Sequence, residues 1–238
     1  NNSGATITVS NTANAGILNN SGATITNSGG ITVSNTGVNS TGISNSGTIS
    51  NSGIITVSNT SGTGIGNTGS INNTGTIKHV FPSATYSGAG TITGAGKIAL
   101  LGTVSANKDL STLGYPASVT TFDILSGDTL TINSGITLTI PSGKTLNNAG
   151  AIANAGTIKH IFPSATYAGA GTLTNSGAGK ITLLGTVSAD KNLSTLGYPV
   201  GITTFTVRGG TNLTVDNASL TNPFGYTLNN SGTITIKP

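Results

Sequence analysis

The 238-residue chain contains no cysteine, methionine or tryptophan, and all five of its acidic residues are aspartates. The lack of cysteine excludes disulfide bridges and thiol-bound metals. No apolar run approaches the roughly 20 residues that a membrane-spanning helix requires, so we expect no membrane span. The sequence opens on Asn1 without a recognisable leader. This predicts an exported, extracellular or cell-surface protein whose signal peptide has been removed.

Charged residues make up only 6% of the chain, with nine Lys and Arg against five Asp and a formal net charge of +4. The cations are scattered singly along the sequence, without a cluster or a stripe. Because nucleic-acid-binding proteins concentrate Lys and Arg on one surface, we expect no nucleic-acid partner.

Glycine, serine, threonine and asparagine dominate what is present, and glycine alone accounts for 36 residues. Such a composition would suit a disordered linker. Ile, Val and Leu nevertheless recur in short runs such as TITV, TLTI and ITLL, which are typical of strands. Each run is broken by the turn-forming residues Gly, Asn or Ser. The sequence therefore predicts an all-β protein.

The first third of the chain is a short repeat. The hexapeptide ITVSNT begins at Ile7, Ile31 and Ile55, a spacing of 24 residues, and each block contains three short apolar points separated by turns. A period in this range is typical of repeat architectures, and one block describes one coil of a single-stranded parallel β-helix, or β-solenoid. Residues 1–72 comprise three such coils. We expect right-handed winding, as in most large β-helices.

Alternation along a strand predicts which side chains of these coils face inward, and equivalent positions stack about 4.8 Å apart. Two buried columns are expected: Ile7, Ile31 and Ile55 in one, and Val9, Val33 and Val57 in the other. The further apolar points are Ile17, Ile43 and Ile65, followed by Ile25, Ile49 and Ile71. At one turn, Asn11, Asn35 and Asn59 are expected to stack and to hydrogen-bond through their amides.

The remaining sequence is a longer tandem repeat. TIKHVFPSATY begins at Thr76 and TIKHIFPSATY at Thr157, which is 81 residues later, and a two-residue insertion lies near Asn175. Residues 73–153 and 154–238 are therefore two copies of one segment, each worth three to four coils. The whole chain is predicted to form about ten coils of one continuous β-solenoid.

A ladder of alternating strands and glycine turns, DTLTINSG, ITLTIPSG and KTLNNAG, runs on from Asp128 inside the first copy. This ladder and the NSGTI-type coils around it resemble the β-helical repeats of bacterial or archaeal cell-surface proteins. Examples are filamentous-haemagglutinin-like adhesins and autotransporter passenger regions. The resemblance covers nearly the whole chain and implies a β-helical stalk or adhesive segment outside the cell.

Carbohydrate-cleaving sites are common on β-helices, and such chemistry requires two carboxylates that face one bond. Asp123 and Asp128 form the one close acidic pair in the sequence, and the second copy has Thr206 and Thr211 in their place. We therefore expect no catalysis and no cofactor.

An acid–lysine–amide triplet occurs in both copies, as NKD at 107–109 and as DKN at 190–192. The acid and the amide exchange places while the pattern is kept. The two oxygens could coordinate a cation, or either residue could cap its own backbone in an Asx-turn. We favour the turn, because one carboxylate makes a poor calcium site.

His79 and His160 occupy matching positions in the two copies. They are candidates for metal ligands or pH-sensitive contacts, but we expect them to point outward beside buried Ile and Phe, so no metal site is predicted. The aromatic residues of both copies could stack on sugars, but we expect them to fill wide corners of the core. They are Phe81, Tyr86, Tyr115, Phe162, Tyr167 and Tyr198.

The two ends of the sequence read like interior coils. NNSGATIT opens the chain and recurs at residues 19–26, and NNSGTITIKP closes it. Because an open coil presents unpaired backbone groups, we expect the ends to stack on other copies, head to tail. The predicted contact residues are Asn1, Asn2, Thr6, Ile7, Thr8 and Val9 at one end and Asn229, Asn230, Thr233, Ile234, Thr235 and Ile236 at the other.

These features predict a self-assembling structural subunit of an extracellular filament or surface layer, with copies of itself as partners. The alternative is a segment of a cell-surface adhesin. In that case an exposed loop, at residues 105–116 or 189–199, would bind a host molecule or a glycan.

Overall fold

The computed structural model describes residues 1–35, 40–59, 62–82 and 85–238. The chain is wound as a parallel β-solenoid of about ten turns. The described residues contain no α-helix, and two short 3₁₀ helices, η1 and η2, span Leu110–Thr112 and Leu193–Thr195. The predicted all-β solenoid is confirmed, and its right-handed winding stays a prediction.

The strands are short, between two and eight residues each. They are β1 (Thr6–Ser10), β2 (Ile17–Asn19), β3 (Thr24–Asn27), β4 (Gly30–Asn35), β5 (Thr41–Asn45), β6 (Thr48–Asn51), β7 (Ile54–Asn59), β8 (Thr63–Asn67), β9 (Ser70–Asn73), β10 (Thr76–Phe81), β11 (Tyr86–Ser87), β12 (Thr91–Thr93), β13 (Lys97–Val104), β14 (Lys108–Asp109), β15 (Thr121–Ile124), β16 (Thr129–Ile132), β17 (Thr137–Ile140), β18 (Thr145–Asn148), β19 (Ala151–Asn154), β20 (Thr157–Phe162), β21 (Thr166–Ala168), β22 (Thr172–Asn175), β23 (Lys180–Val187), β24 (Lys191–Asn192), β25 (Thr204–Val207), β26 (Asn212–Asp216), β27 (Leu220–Thr221), β28 (Thr227–Asn230) and β29 (Thr233–Lys237).

The chain divides into two compact units, residues 1–102 with 111–123, and residues 103–110 with 124–238. In the first unit each turn adds one strand to each of three parallel sheets. The strand orders are β1-β4-β7-β10-β13-β15, β2-β5-β8-β11 and β3-β6-β9-β12. This is the three-sided, single-stranded coil that the 24-residue block predicts.

The predicted column of Ile7, Ile31 and Ile55 exists, since these residues are Cα partners along β1, β4 and β7. Ile31 and Ile55 are buried, but Ile7 is 43% exposed. The expectation that Ile7 is buried is therefore wrong. The reason is that β1 is the first strand of its sheet, and no described strand covers its other edge.

The valine column and the apolar positions on the other two sides of the coil were also predicted. Val33 and Val57 are buried, whereas Val9 in the outermost strand is partly exposed. The apolar points of the other two sides also align as expected, Ile17 with Ile43 and Ile65, and Ile25 with Ile49 and Ile71. The amide stack predicted at Asn11, Asn35 and Asn59 falls outside the described part of the structure, which does not include the side chains of Asn35 and Asn59.

The second unit repeats the parallel pairing. One sheet has the order β14-β17-β20-β23-β25-β28, with β26 also paired to β23 and β29 paired to β26. Further pairings are β16-β19-β22, β18-β21 and β24-β27. Thr76 pairs with Lys97 in the first copy, and Thr157 pairs with Lys180 in the second. The second interval is two residues longer, so the insertion at Asn175 is absorbed in the turn after β22.

Glycine is required where one coil's turn sits on the next. A Cβ added at Gly53 would lie 2.0 Å from the Gly29 carbonyl oxygen, and one at Gly75 would lie 2.1 Å from the Gly53 oxygen. The NSG and NTG turns that end at Gly29, Gly47, Gly53, Gly69 and Gly75 therefore stack without room for any side chain at the glycine. This explains why the same turn chemistry recurs in these coils.

Candidate functional site

Two columns of buried asparagine amides run through the first unit. Asn27 donates its Nδ2 proton to Asn51 Oδ1 at 2.7 Å, and Asn51 donates to Asn73 Oδ1 at 2.7 Å. In the second column Asn19 donates to Asn45 at 2.6 Å, and Asn45 donates to Asn67 at 2.7 Å. A buried amide is costly unless it is hydrogen-bonded, and these amides also reach carbonyl oxygens such as Ile54 O and Ser70 O.

Both columns point the same way, because each amide donates toward the coil that comes next in sequence. Sequence reasoning placed an amide stack at the ITVSNT turn and missed these columns. The available signal was an Asn at the end of a strand directly before a Ser-Gly or Thr-Gly turn. The intervals of 26, 24 and 22 residues between stacked amides hid it from a search for one fixed period.

A buried tyrosine ends one of these columns and recurs in the second copy. Asn67 donates to the Tyr86 hydroxyl at 2.7 Å, and Asn148 donates to the Tyr167 hydroxyl at 2.9 Å. Burial raises the pKa of Tyr167 to about 12 and also raises the pKa of Tyr86, so both phenols stay neutral. Asn67 lies before residue 73 and Asn148 lies before residue 154, the first residues of the two copies. Because Asn67 and Asn148 make the same contact, the structural similarity of the copies begins before those two residues.

The two histidines are buried, at 2% exposure for His79 and 1% for His160. The expectation that they point outward is wrong. Strict alternation along β10 and β20 places each histidine on the inner face, between an inward Ile and an inward Phe. His79 Nδ1 lies 3.2 Å from the Tyr115 hydroxyl, and His160 Nδ1 lies 3.3 Å from that of Tyr198.

Each histidine belongs to an aromatic cluster. Tyr86 stacks on Tyr115 with ring centroids 4.8 Å apart, and Tyr167 stacks on Tyr198 at 4.3 Å. Burial lowers the pKa of His160 to about 4, with a smaller contribution from the Lys191 ammonium. The side chains of Phe81, Tyr86, Phe162 and Tyr167 are buried and those of Tyr115 and Tyr198 are partly buried, so the aromatic residues fill the core as expected.

The acid–lysine–amide triplet acts as a turn. Asn192 Oδ1 accepts hydrogen bonds from the Ser194 backbone N–H at 2.9 Å and from its hydroxyl at 2.8 Å, at the start of η2. The favoured Asx-turn is confirmed in the second copy. Asp190 Oδ1 accepts from the Ser219 N–H at 2.8 Å, and Asn107 Oδ1 accepts from the Thr137 N–H at 2.8 Å.

This clamp from the first triplet residue to a later coil was not visible in the sequence, since its partners are 29 and 30 residues apart. The hydrogen bonds from Ser219 lower the pKa of the exposed Asp190 carboxyl. The triplet oxygens are therefore engaged with donors of the chain itself. No group of three or more His, Cys, Asp or Glu side chains that could hold a metal occurs among the described residues.

The acidic pair considered for catalysis is placed at the end of β15 and in the turn after it. Asp123 is buried, and Asp128 is partly exposed. The backbone N–H of Asp128 closes that turn by donating to Leu125 O at 2.9 Å. Asp128 therefore closes the turn through its backbone, and Asp123 lies in the core.

The end coils expose apolar side chains that interior coils bury. Ile236 of β29 is 77% exposed and Ile7 of β1 is 43% exposed. A groove of about 300 Å³ lies against the last coil. It is lined by Val215, Ala218, Ser219, Leu220, Leu228, Ile234 and Ile236.

The polar residues among the predicted end residues fall into three groups. Asn1 joins an amide column, since its Nδ2 donates to Asn27 Oδ1 at 2.9 Å. Asn230 Oδ1 accepts from the Gly232 N–H at 3.1 Å. Asn2, Asn229 and the strand threonines point to solvent, at Thr6, Thr8, Thr233 and Thr235.

No helix in the described part of the chain is long and apolar enough to cross a membrane. Comparison with protein families, with curated proteins and with solved structures found no match to this chain.

Proposed function

We propose that this chain is a structural subunit of an extracellular filament or surface layer, in which β-solenoids stack end to end on copies of themselves. Its chemistry is that of a scaffold without catalysis. Buried amides and aromatic clusters serve the core, and the oxygens of the acid–lysine–amide triplets are engaged within the chain. The absence of cysteine and the resemblance to cell-surface β-helices support an extracellular setting.

The observation that carries the proposal is the exposure of inward-facing apolar side chains on the outermost strands. Ile7 is 43% exposed, whereas its column neighbours Ile31 and Ile55 are 2% and 1% exposed. Ile236 is 77% exposed, although its Cα partner Val215 is buried. A parallel strand laid on either edge would bury these side chains and satisfy the open backbone groups.

The contact between the two kinds of end is heterologous, so it does not close on itself and generates a filament. Low charge assists this assembly. Only 6% of the residues are charged, and little electrostatic repulsion therefore opposes close stacking.

Negative-stain microscopy of the purified chain at neutral pH tests the proposal. We expect long thin fibres with a regular axial repeat, at protein concentrations that also give rapidly sedimenting material. Isolated particles at every concentration, with sedimentation of a monomer, would contradict it.

A second function is favoured by one observation, a pocket of about 230 Å³ beside residues 189–199. Buried His160, the Asp190 carboxylate and the Lys191 ammonium all line it. These groups suit a hydroxyl-rich ligand, as in a segment of an adhesin. A glycan array probed with the wild-type chain and with Asp190→Asn tests this reading, which requires binding that the variant loses.

A further inference from the structure

We propose that a cavity of the second unit, lined by Lys180 and Arg208, binds an oxyanion group of the sulfate or phosphate type. The site is separate from the aromatic clusters, from the asparagine columns and from the outermost coils. The proposal therefore does not rest on end-to-end stacking and adds a binding function to the side of the solenoid.

Three stacked strands form one wall of the cavity. Thr137 of β17 is the Cα partner of Thr157 in β20, and Thr157 is the Cα partner of Lys180 in β23. Because stacked parallel strands lie about 4.8 Å apart, the two threonines and the lysine follow one another in a column. Gly135 and Gly156, in the turns before β17 and β20, also line the cavity and add no side chain that would fill it.

Arg208 lines the same cavity from the end of β25, a strand that pairs with β23. A turn holds its backbone, since Thr211 donates to the Arg208 carbonyl oxygen from its N–H at 3.0 Å and from its hydroxyl at 2.6 Å. Arg208 is the one arginine of the chain. Folding therefore brings to one cavity two cations that the sequence places on separate strands.

The positive charges at this cavity are not balanced by the chain itself. No Asp side chain lines the cavity. Within the described ranges, neither Lys180 nor Arg208 forms an ion pair. Two like charges that share a small site repel each other, and an anion placed between them is attracted to both.

The two copies of the long repeat differ in charge around this position. Leu125 of the first copy corresponds to Arg208 of the second, and the aspartates Asp123 and Asp128 correspond to threonines. The second copy therefore has one more cation and two fewer carboxylates over the same short segment. Both changes favour an anion at the second copy.

The donors at the cavity suit an oxyanion. The Arg208 guanidinium forms two parallel hydrogen bonds with a pair of oxygens in the geometry that it prefers, and Lys180 supplies a second positive charge. The hydroxyls of Thr137 and Thr157 are further donors. The cavity has a volume of about 110 Å³. Since one water molecule needs only about 10–15 Å³, a group of several heavy atoms fits.

Isothermal titration calorimetry with sodium sulfate and with sodium phosphate tests the site. The titrations use low ionic strength, where screening is weak, and protein concentrations below those that give fibres. We expect saturable binding of one anion per chain. Arg208→Leu, which introduces the residue of the first copy, and Lys180→Gln should each weaken binding by at least about tenfold, because each removes a charged donor.

Lys97→Gln is the matched control. Lys97 is the counterpart of Lys180 in the first copy, and its side chain is exposed. This variant loses the same charge as the other two, so a general weakening of attraction would affect all three alike. Its affinity should stay within about twofold of wild type. Circular dichroism shows whether the variants are folded.

Dextran sulfate distinguishes a free ion from a sulfate group carried on a polymer. Binding of inorganic sulfate that depends on Arg208 indicates a free ion, and binding of dextran sulfate alone with the same dependence indicates a polymer. Either result supports the site. Equal weakening in Arg208→Leu and Lys97→Gln, or no binding of any of the three probes, would overturn it. Fibre formation at higher protein concentration is measured separately, so failure of the anion site leaves the proposed filament untouched.

Discussion

At the scale of single residues, a buried amide such as Asn51 makes two hydrogen bonds within its column. It accepts from Asn27 and donates to Asn73, both at 2.7 Å, and all three side chains are at most 1% exposed. Removing it leaves a donor above and an acceptor below without partners in a region that excludes water. Each unsatisfied buried group costs about 1–3 kcal/mol.

Asn51→Ala should therefore lower the free energy of unfolding by about 3 kcal/mol. Urea unfolding followed by circular dichroism measures the change. Asn72→Ala is the matched control, because Asn72 is exposed in the adjacent strand β9, and it should lose less than about 0.5 kcal/mol. Similar losses in the two variants would show that the column contributes little.

The buried imidazole of His160 makes stability depend on pH. Its folded-state pKa is about 4, below the value of about 6.5 in an unfolded chain, so the folded state favours the neutral ring. This contribution is complete above about pH 6.5 and is lost as the pH falls toward 4, because the unfolded chain takes up the proton first. We expect a loss of about 2 kcal/mol between pH 7 and pH 5.

Urea midpoints at pH 7 and pH 5, for wild type and for His160→Gln, measure this effect. The variant should be less stable at pH 7 but should lose less stability on acidification. The interval lies above the usual range of aspartate titration, so carboxylates contribute little. A wild-type stability that is unchanged between the two pH values would contradict a neutral, buried His160.

At the scale of the coil, glycine turns set the distance between neighbouring turns of chain. Gly75 has no space for a Cβ, because the Gly53 carbonyl oxygen lies 2.1 Å from where it would stand. Gly75→Ala must push two coils apart or distort the turn, and we expect a loss of about 3 kcal/mol in unfolding free energy. Gly201→Ala is the control, since nothing lies within 4 Å of the added atom. It should be neutral or slightly stabilising.

The coil is also the level at which sequence reasoning succeeded. The spacing of ITVSNT and the alternation within it fix the register of Ile31 and Ile55 and the side of the strand that faces inward. These properties come from backbone geometry, which repeats with the sequence. The repeat also located the two-residue insertion near Asn175, and the structure shows that the turn after β22 absorbs it.

The features that escaped sequence reasoning depend on a polar side chain having a partner in the next coil. His79 was expected outside because it is polar, yet alternation puts it inside and the Tyr115 hydroxyl lies within hydrogen-bonding distance of it. The Asp190 clamp on Ser219 joins residues 29 positions apart. Such pairs can be identified from the sequence only when the number of residues in every coil is known, and this number varies from coil to coil.

At the scale of the whole molecule, the proposed filament extends an arrangement already present inside each chain. In the sheet that begins at β1, the interior strands β4, β7 and β10 each have parallel neighbours on both edges, whereas β1 and β29 each have one such neighbour among the described strands. A second copy would complete the pairing at both. Negative-stain microscopy of the fibres tests this at the level of the assembly.

The common direction of the asparagine columns also restricts how such a chain can lengthen. A segment inserted by duplication leaves every buried amide with an acceptor only if it adds a whole number of coils. The equivalent sites Asn67 and Asn148, 81 residues apart, meet this condition, since each still reaches a tyrosine hydroxyl. A duplication ending partway round a coil would bury a donor with nothing to receive its proton, so growth by complete turns is the route that keeps each intermediate length foldable.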